Sequence, residues 1–93
     1  PERVRCLILD FAERLDSALD ATDGHIFERI VLMQTRDSLR RYGGLWDTPR
    51  CRKVIERLPD ALEAAAGPEG FPDDLMNPIR VTCERAGRSL RKV

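Results

Sequence analysis

The chain has 93 residues, 42% hydrophobic and 34% charged, with 16 basic and 16 acidic side chains and a formal net charge of zero. That length allows one domain, residues 1–93, with a modest core, and the composition excludes an intrinsically disordered chain. Balanced charge argues against a general binder of nucleic acid or membrane, and no apolar run approaches the roughly 18 residues of a membrane span.

Aromatics are 5% of the chain, so the core is expected to be mainly Leu, Ile, Val and Ala. Val4, Ile8, Phe11, Leu15 and Ala18 recur at helical spacing, and Leu7, Ala12 and Leu19 widen the stripe. Together they predict an amphipathic helix over 2–21, with Asp10, Glu13, Asp16 and Asp20 on its polar face. Ala21-Thr22-Asp23-Gly24 ends it, and Thr22 or Asp23 is suited to cap a second helix over 24–42. Ile26, Phe27, Ile30, Val31 and Met33 form the apolar face of that helix, with Ile26, Ile30 and Met33 assigned to the core and Leu32 and Leu39 on a neighbouring face. The run Ile30-Val31-Leu32-Met33 covers almost a full turn, which predicts a central helix contacted on more than one side.

Gly43-Gly44 stops the second helix, because glycine enters the left-handed C-cap conformation at least cost. Thr48 then offers an N-cap oxygen and Pro49 suits the first helical position of a third helix over 48–66. Cys51, Val54, Ile55, Leu58 and Leu62 carry its apolar stripe through Pro59, where the missing N–H predicts a kink or a break. Residues 67–77 read as a loop. Asn77-Pro78 repeats the cap-then-proline signal, and Ile79, Cys83, Ala86 and Leu90 define a fourth helix over 77–92. The predicted fold is an all-α, four-helix bundle. Its predicted core is Val4, Ile8, Phe11, Leu15, Ile26, Ile30, Met33, Val54, Ile55, Leu58, Leu62, Ile79, Cys83, Ala86 and Leu90.

Charge is arranged in blocks: residues 58–77 hold five acids and no base, while 78–93 hold one acid and five bases. Helices of alternating sign attract their neighbours, which accounts for zero net charge without a partner. Three cysteines, Cys6, Cys51 and Cys83, are odd in number and widely spaced, which suits a reducing cytoplasm better than a disulfide scaffold. With His25 they match a zinc stoichiometry but not its spacing, since zinc ligands come in close pairs; no metal and no cofactor is expected. Nothing polar converges on His25, and the chain has no P-loop, dinucleotide fingerprint or nucleophile elbow, so no enzyme activity is expected.

The one constellation with a positive meaning is the corner between helices two and three. Arg36, Arg40 and Arg41 close one helix, Arg50, Arg52, Lys53 and Arg57 open the next, and Tyr42, Leu45 and Trp46 lie between. Cations near a helix C-terminus are favoured by its dipole, whereas those near an N-terminus need another reason. Arg, Trp and Tyr are enriched in protein-binding hot spots, so Arg40, Arg41, Tyr42, Leu45, Trp46, Arg50, Arg52 and Lys53 are assigned as a candidate partner-binding set. The expected partner is another protein or a second copy, making the chain a non-catalytic regulator or accessory subunit. The alternative is a DNA-binding regulator that presents residues 36–57 as helix, corner and helix. Leu45 and Trp46 belong to neither apolar stripe; they either plug the end of the bundle or await a partner.

Overall fold

A computed structural model describes residues 2–93. Four helices follow one another, α1 (Glu2–Ala21), α2 (Ile26–Tyr42), α3 (Thr48–Ala66) and α4 (Asp73–Arg91), with one 3-10 turn at Gly67–Glu69; there is no strand among the described residues. Short connections turn each helix back along its predecessor, and each packs mainly on its two neighbours: α1 on α2 and α4, α3 on α2 and α4. This ring is compatible with a bundle, as are the dimensions of 40 × 21 × 19 Å, whose long axis a 20-residue helix nearly spans.

The apolar stripes of α1, α3 and α4 meet as their spacing predicts. Val4, Ile8, Phe11 and Leu15 of α1, Ile55, Leu58 and Leu62 of α3, and Ile79, Cys83 and Leu90 of α4 are all buried. Val54 and Ala86 are only half-buried, at the flanks of their stripes.

Helix α2 is rotated from the expected face. Ile26, Ile30 and Met33 point to solvent, and the core side is Glu28, Leu32 and Leu39. The rotation has a polar cause. On its inner side α2 carries Glu28, whose Oε2 lies 3.2 Å from His25 Nδ1, and Arg36, whose guanidinium donates to Asp16 of α1 at 2.8 Å. Arg29 also donates to the Leu19 carbonyl at 2.5 Å, where Thr22 N–H and Oγ1–H donate as well. The bonds to the Leu19 carbonyl satisfy one acceptor at the end of α1, and with the Arg36–Asp16 pair they tie α2 to α1. Neither Thr22 nor Asp23 caps α2. Its N-cap is His25, with no side-chain capping bond.

Three further boundaries depart from expectation. Gly43 is right-handed, with φ −57° and ψ −32°, so the Gly-Gly corner does not use a left-handed cap. It is needed for space: a Cβ there would stand 3.0 Å from Ile8 Cγ2 and closer still to the Leu39 carbonyl. Asp47, not Thr48, caps α3, its Oδ1 accepting the Arg50 N–H at 2.8 Å. Helix α4 begins at Asp73 instead of 77, because Met76 already belongs to its buried stripe and Asp73 and Asp74 suit the positive end of the helix dipole. Pro78 therefore lies inside α4. Likewise α3 runs unbroken through the buried Pro59.

The charge blocks do pair neighbouring helices. Asp16 of α1 is held by both Arg36 and Arg40 of α2, and in α3 Glu63 meets Arg80 and Glu56 meets Arg91, both of α4. The hydrogen bond from Arg36, aided by Arg40, holds the Asp16 carboxyl below the usual carboxylate range.

All three cysteines are free thiols. Cys6 is exposed on α1, whereas Cys51 and Cys83 are buried in α3 and α4, and burial pushes both thiols up, Cys83 to about 12. A thiol must ionise to react, so in the folded protein only Cys6 is expected to be labelled by a disulfide reagent at neutral pH. Counting fast-reacting thiols with and without denaturant checks this; two fast thiols under native conditions would refute the burial of the second.

Candidate interaction surface

The corner is built by a helix end, a five-residue turn and a capped helix start. Tyr42 is the last residue of α2, and the Leu45 and Trp46 N–H groups both donate to its carbonyl, at 2.8 and 3.0 Å. That doubly bonded carbonyl turns the chain sharply and stacks the Trp46 ring on the Tyr42 ring, 5.9 Å between centroids and 23° between planes. The guanidinium of Arg50, one turn into α3, sits 4.6 Å over the Trp46 ring, and that of Arg41 lies 5.9 Å from the Tyr42 ring. Each ring of the stacked pair thus has a guanidinium near it, which gives the two arginines an aromatic reason for their positions.

Burial separates Leu45 from Trp46. Trp46 is half-buried and packs against the core, so it plugs the bundle end in part. Leu45 has no such role; it is 83% exposed, the most exposed large apolar side chain among the described residues.

The structure gathers only some of the expected set. Arg41, Tyr42, Leu45, Trp46 and Arg50 stand together. Arg40 turns to Asp16, 2.5 Å away, and Arg52 leans to Glu56 at 3.9 Å, so both are occupied within the fold. Lys53 is exposed on α3 with no ion pair among the described residues.

Sequence spacing also leaves out one wall of the site. A shallow groove runs beside the corner, lined by Val4, Cys6 and Leu9 of α1 together with Gly43 and Trp46. Leu9 is 43% exposed there. Its signal in the sequence is an apolar residue off the Val4-Ile8-Phe11 stripe.

No acid-base or metal chemistry is assembled at this corner. His25 stands at the other end of α2, edge-on to Phe71 with ring centroids 5.3 Å apart. No group of three or more His, Cys, Asp or Glu side chains is arranged around a metal position among the described residues. No helix is long and apolar enough to cross a membrane.

Compared with protein-family models, with curated proteins and with solved structures, the chain finds no match in any of the three.

Proposed function

We propose that this chain is a small, non-catalytic helical interaction module, a regulator or accessory subunit, that binds another protein through the corner at residues 41–50. The observation that carries it is Leu45: a leucine 83% exposed, held by a tight turn beside the stacked Tyr42 and Trp46 rings and next to a groove that Val4, Leu9 and Trp46 help to line. Aromatic and arginine side chains that are already ordered lose little entropy on binding, and an adjacent apolar residue supplies the buried area. Three free thiols, two of them buried, suit a cytoplasmic setting. We also infer a bend of α3 at Pro59, which lies inside the helix and lacks the N–H that a straight helix uses.

The DNA-binding alternative is less well supported, because Asp16 and Glu56 neutralise Arg36, Arg40 and Arg52 inside the fold. The experiment immobilises the chain and compares proteins captured from cell extract by wild type, Leu45→Asp and the Arg50→Glu/Arg52→Glu/Lys53→Glu variant. Leu45→Asp is expected to abolish capture while leaving the melting temperature within a degree or two, since the side chain touches little of the core. Trp46→Ala is a poorer probe, because it removes packing as well as contact. Retention of duplex DNA that falls steeply between about 50 and 200 mM salt, and disappears in the charge-reversed variant, would establish the alternative instead.

A further inference from the structure

The formal net charge of zero conceals a separation of charge along the bundle. With each helix divided at its middle, the half that holds the corner, residues 2–11, 35–57 and 83–93, has thirteen basic and six acidic side chains. The other half, residues 12–34 and 58–82, has three basic and ten acidic ones. Helix dipoles account for part of this, since Arg40 and Arg41 close α2 and Arg88 and Arg91 close α4. They do not account for Arg5 near the start of α1 or Arg50 in the first turn of α3, where a cation meets the positive end of a helix.

Resting on the reading of the corner as the binding site, we propose that its partner is an acidic segment of another protein carrying one large apolar side chain. That side chain enters the groove beside Leu45, and the flanking carboxylates meet Arg5, Arg41 and Arg50. All three arginines are exposed, and none has an ion-pair partner or a side-chain hydrogen bond among the described residues. Arg5 lines the α1 wall of the groove with Cys6 and Leu9, while Arg41 and Arg50 lie near the stacked rings. A guanidinium held over a ring uses its face there and keeps its in-plane N–H donors, the fork that grips a carboxylate with two hydrogen bonds. Two acids line the groove: Asp47 serves as the cap of α3, and Glu2 alone stands uncommitted.

Carboxylates suit the corner better than phosphates. The exposed Leu45 and Leu9 gain nothing from a sugar-phosphate backbone, whereas an apolar side chain covers them. An extended polyanion laid along the 40 Å axis also meets the acidic half, which repels it, while a short acidic segment ends at the corner. Complementary charge steers encounter and selects among partners, and the apolar contact at the centre sets how long the complex lasts.

Fluorescein-labelled peptides of about 15 residues, with a central Leu, Phe or Ala flanked on both sides by Glu, Gln or Lys, provide the test by fluorescence anisotropy. At about 50 mM salt, wild type is expected to bind the Glu-flanked Leu and Phe peptides at least tenfold more tightly than all the others, and to lose much of that preference by about 200 mM. Arg41→Gln/Arg50→Gln is expected to remove most of the preference for Glu. Arg5→Gln, on the other wall and without a polar contact inside the fold, is expected to act in the same direction to a smaller extent. Leu45→Asp is expected to weaken the Leu and Phe peptides at least tenfold. A preference for Glu that survives both arginine variants overturns the proposal, as does the absence of binding to any peptide. Equal binding whatever the flanks, lost in Leu45→Asp, overturns it too but leaves the corner as the binding site. Duplex DNA of about 12 base pairs bound more tightly than every peptide overturns both readings. Self-association of the chain that Arg41→Gln/Arg50→Gln abolishes would make the acidic half of a second copy the occupant, and that also overturns it.

Discussion

Ile55→Ala is expected to lower the unfolding free energy by about 2–5 kcal/mol, the usual loss when a fully buried isoleucine is truncated. Ile55 has no exposed surface, in the middle of α3, the helix that packs on both α2 and α4. Its surroundings have little freedom to collapse into the vacancy, because Pro59 one turn on is itself buried and stiffens that part of the helix. Against a typical domain stability of about 5–15 kcal/mol the loss is a large fraction. Urea denaturation followed by circular dichroism gives the value directly, and a change below about 0.5 kcal/mol, the range of an ordinary surface substitution, would place Ile55 outside the core.

The two glycines of the corner are expected to behave oppositely. Gly43→Ala forces a methyl group against the Ile8 side chain and the Leu39 carbonyl, the second of which is backbone and cannot move aside. The expected loss is about 1–3 kcal/mol, as for other overpacked sites. It also disturbs α3, since the Cys51 thiol donates to the Gly43 carbonyl at 3.6 Å. A Cβ at Gly44 meets nothing within 4 Å, and its φ is not in the left-handed region, so Gly44→Ala is expected to fall within about 0.5 kcal/mol of wild type. Thermal melts of the two single variants side by side decide it. Equal losses would mean that the corner needs glycine for its backbone conformation and not for the approach of α2 to α1.

The Gly-Gly pair also shows what the chain reveals before its structure is seen. A stop at Gly43 is legible from composition, but its physical reason depends on Ile8, a residue 35 positions away that no local pattern connects to it. For α1 and α3, where apolar residues form a single stripe, periodicity reads both the helix and its buried face. Helix α2 defeats the same argument because Ile30-Val31-Leu32-Met33 nearly circles it, so hydrophobicity supports more than one face. The choice falls to Glu28 and Arg36, charged residues that a hydrophobic count rejects from an inner face. Their partners, His25 and Asp16, are what make the inward position tolerable. In α4 the Asn77-Pro78 signal points to a start that the acids Asp73 and Asp74 and the buried Met76 place a turn earlier. At the corner, residue types mark Tyr42, Trp46 and Arg50 as a group, whereas the stack among them and the diversion of Arg40 and Arg52 arise only in three dimensions.

The ion pairs between helices have a consequence for how the chain comes together. All of those among the described residues lie within α1–α2 or within α3–α4, and none joins α2 to α3 or α1 to α4. Ion pairs thus add to the packing within each sequential hairpin, whereas the two hairpins meet along seams with no ion pair among the described residues. The widest of these pairs, Arg91 to Glu56, spans 35 positions, so each pair closes over a short length of chain. Local closures of this kind form early and at small entropic cost, before the longer-range seams are made. Raising ionic strength should loosen the hairpins while leaving their mutual affinity nearly intact. A chain severed between Gly43 and Gly44 should accordingly reassemble from its halves, each arriving with its electrostatics already settled.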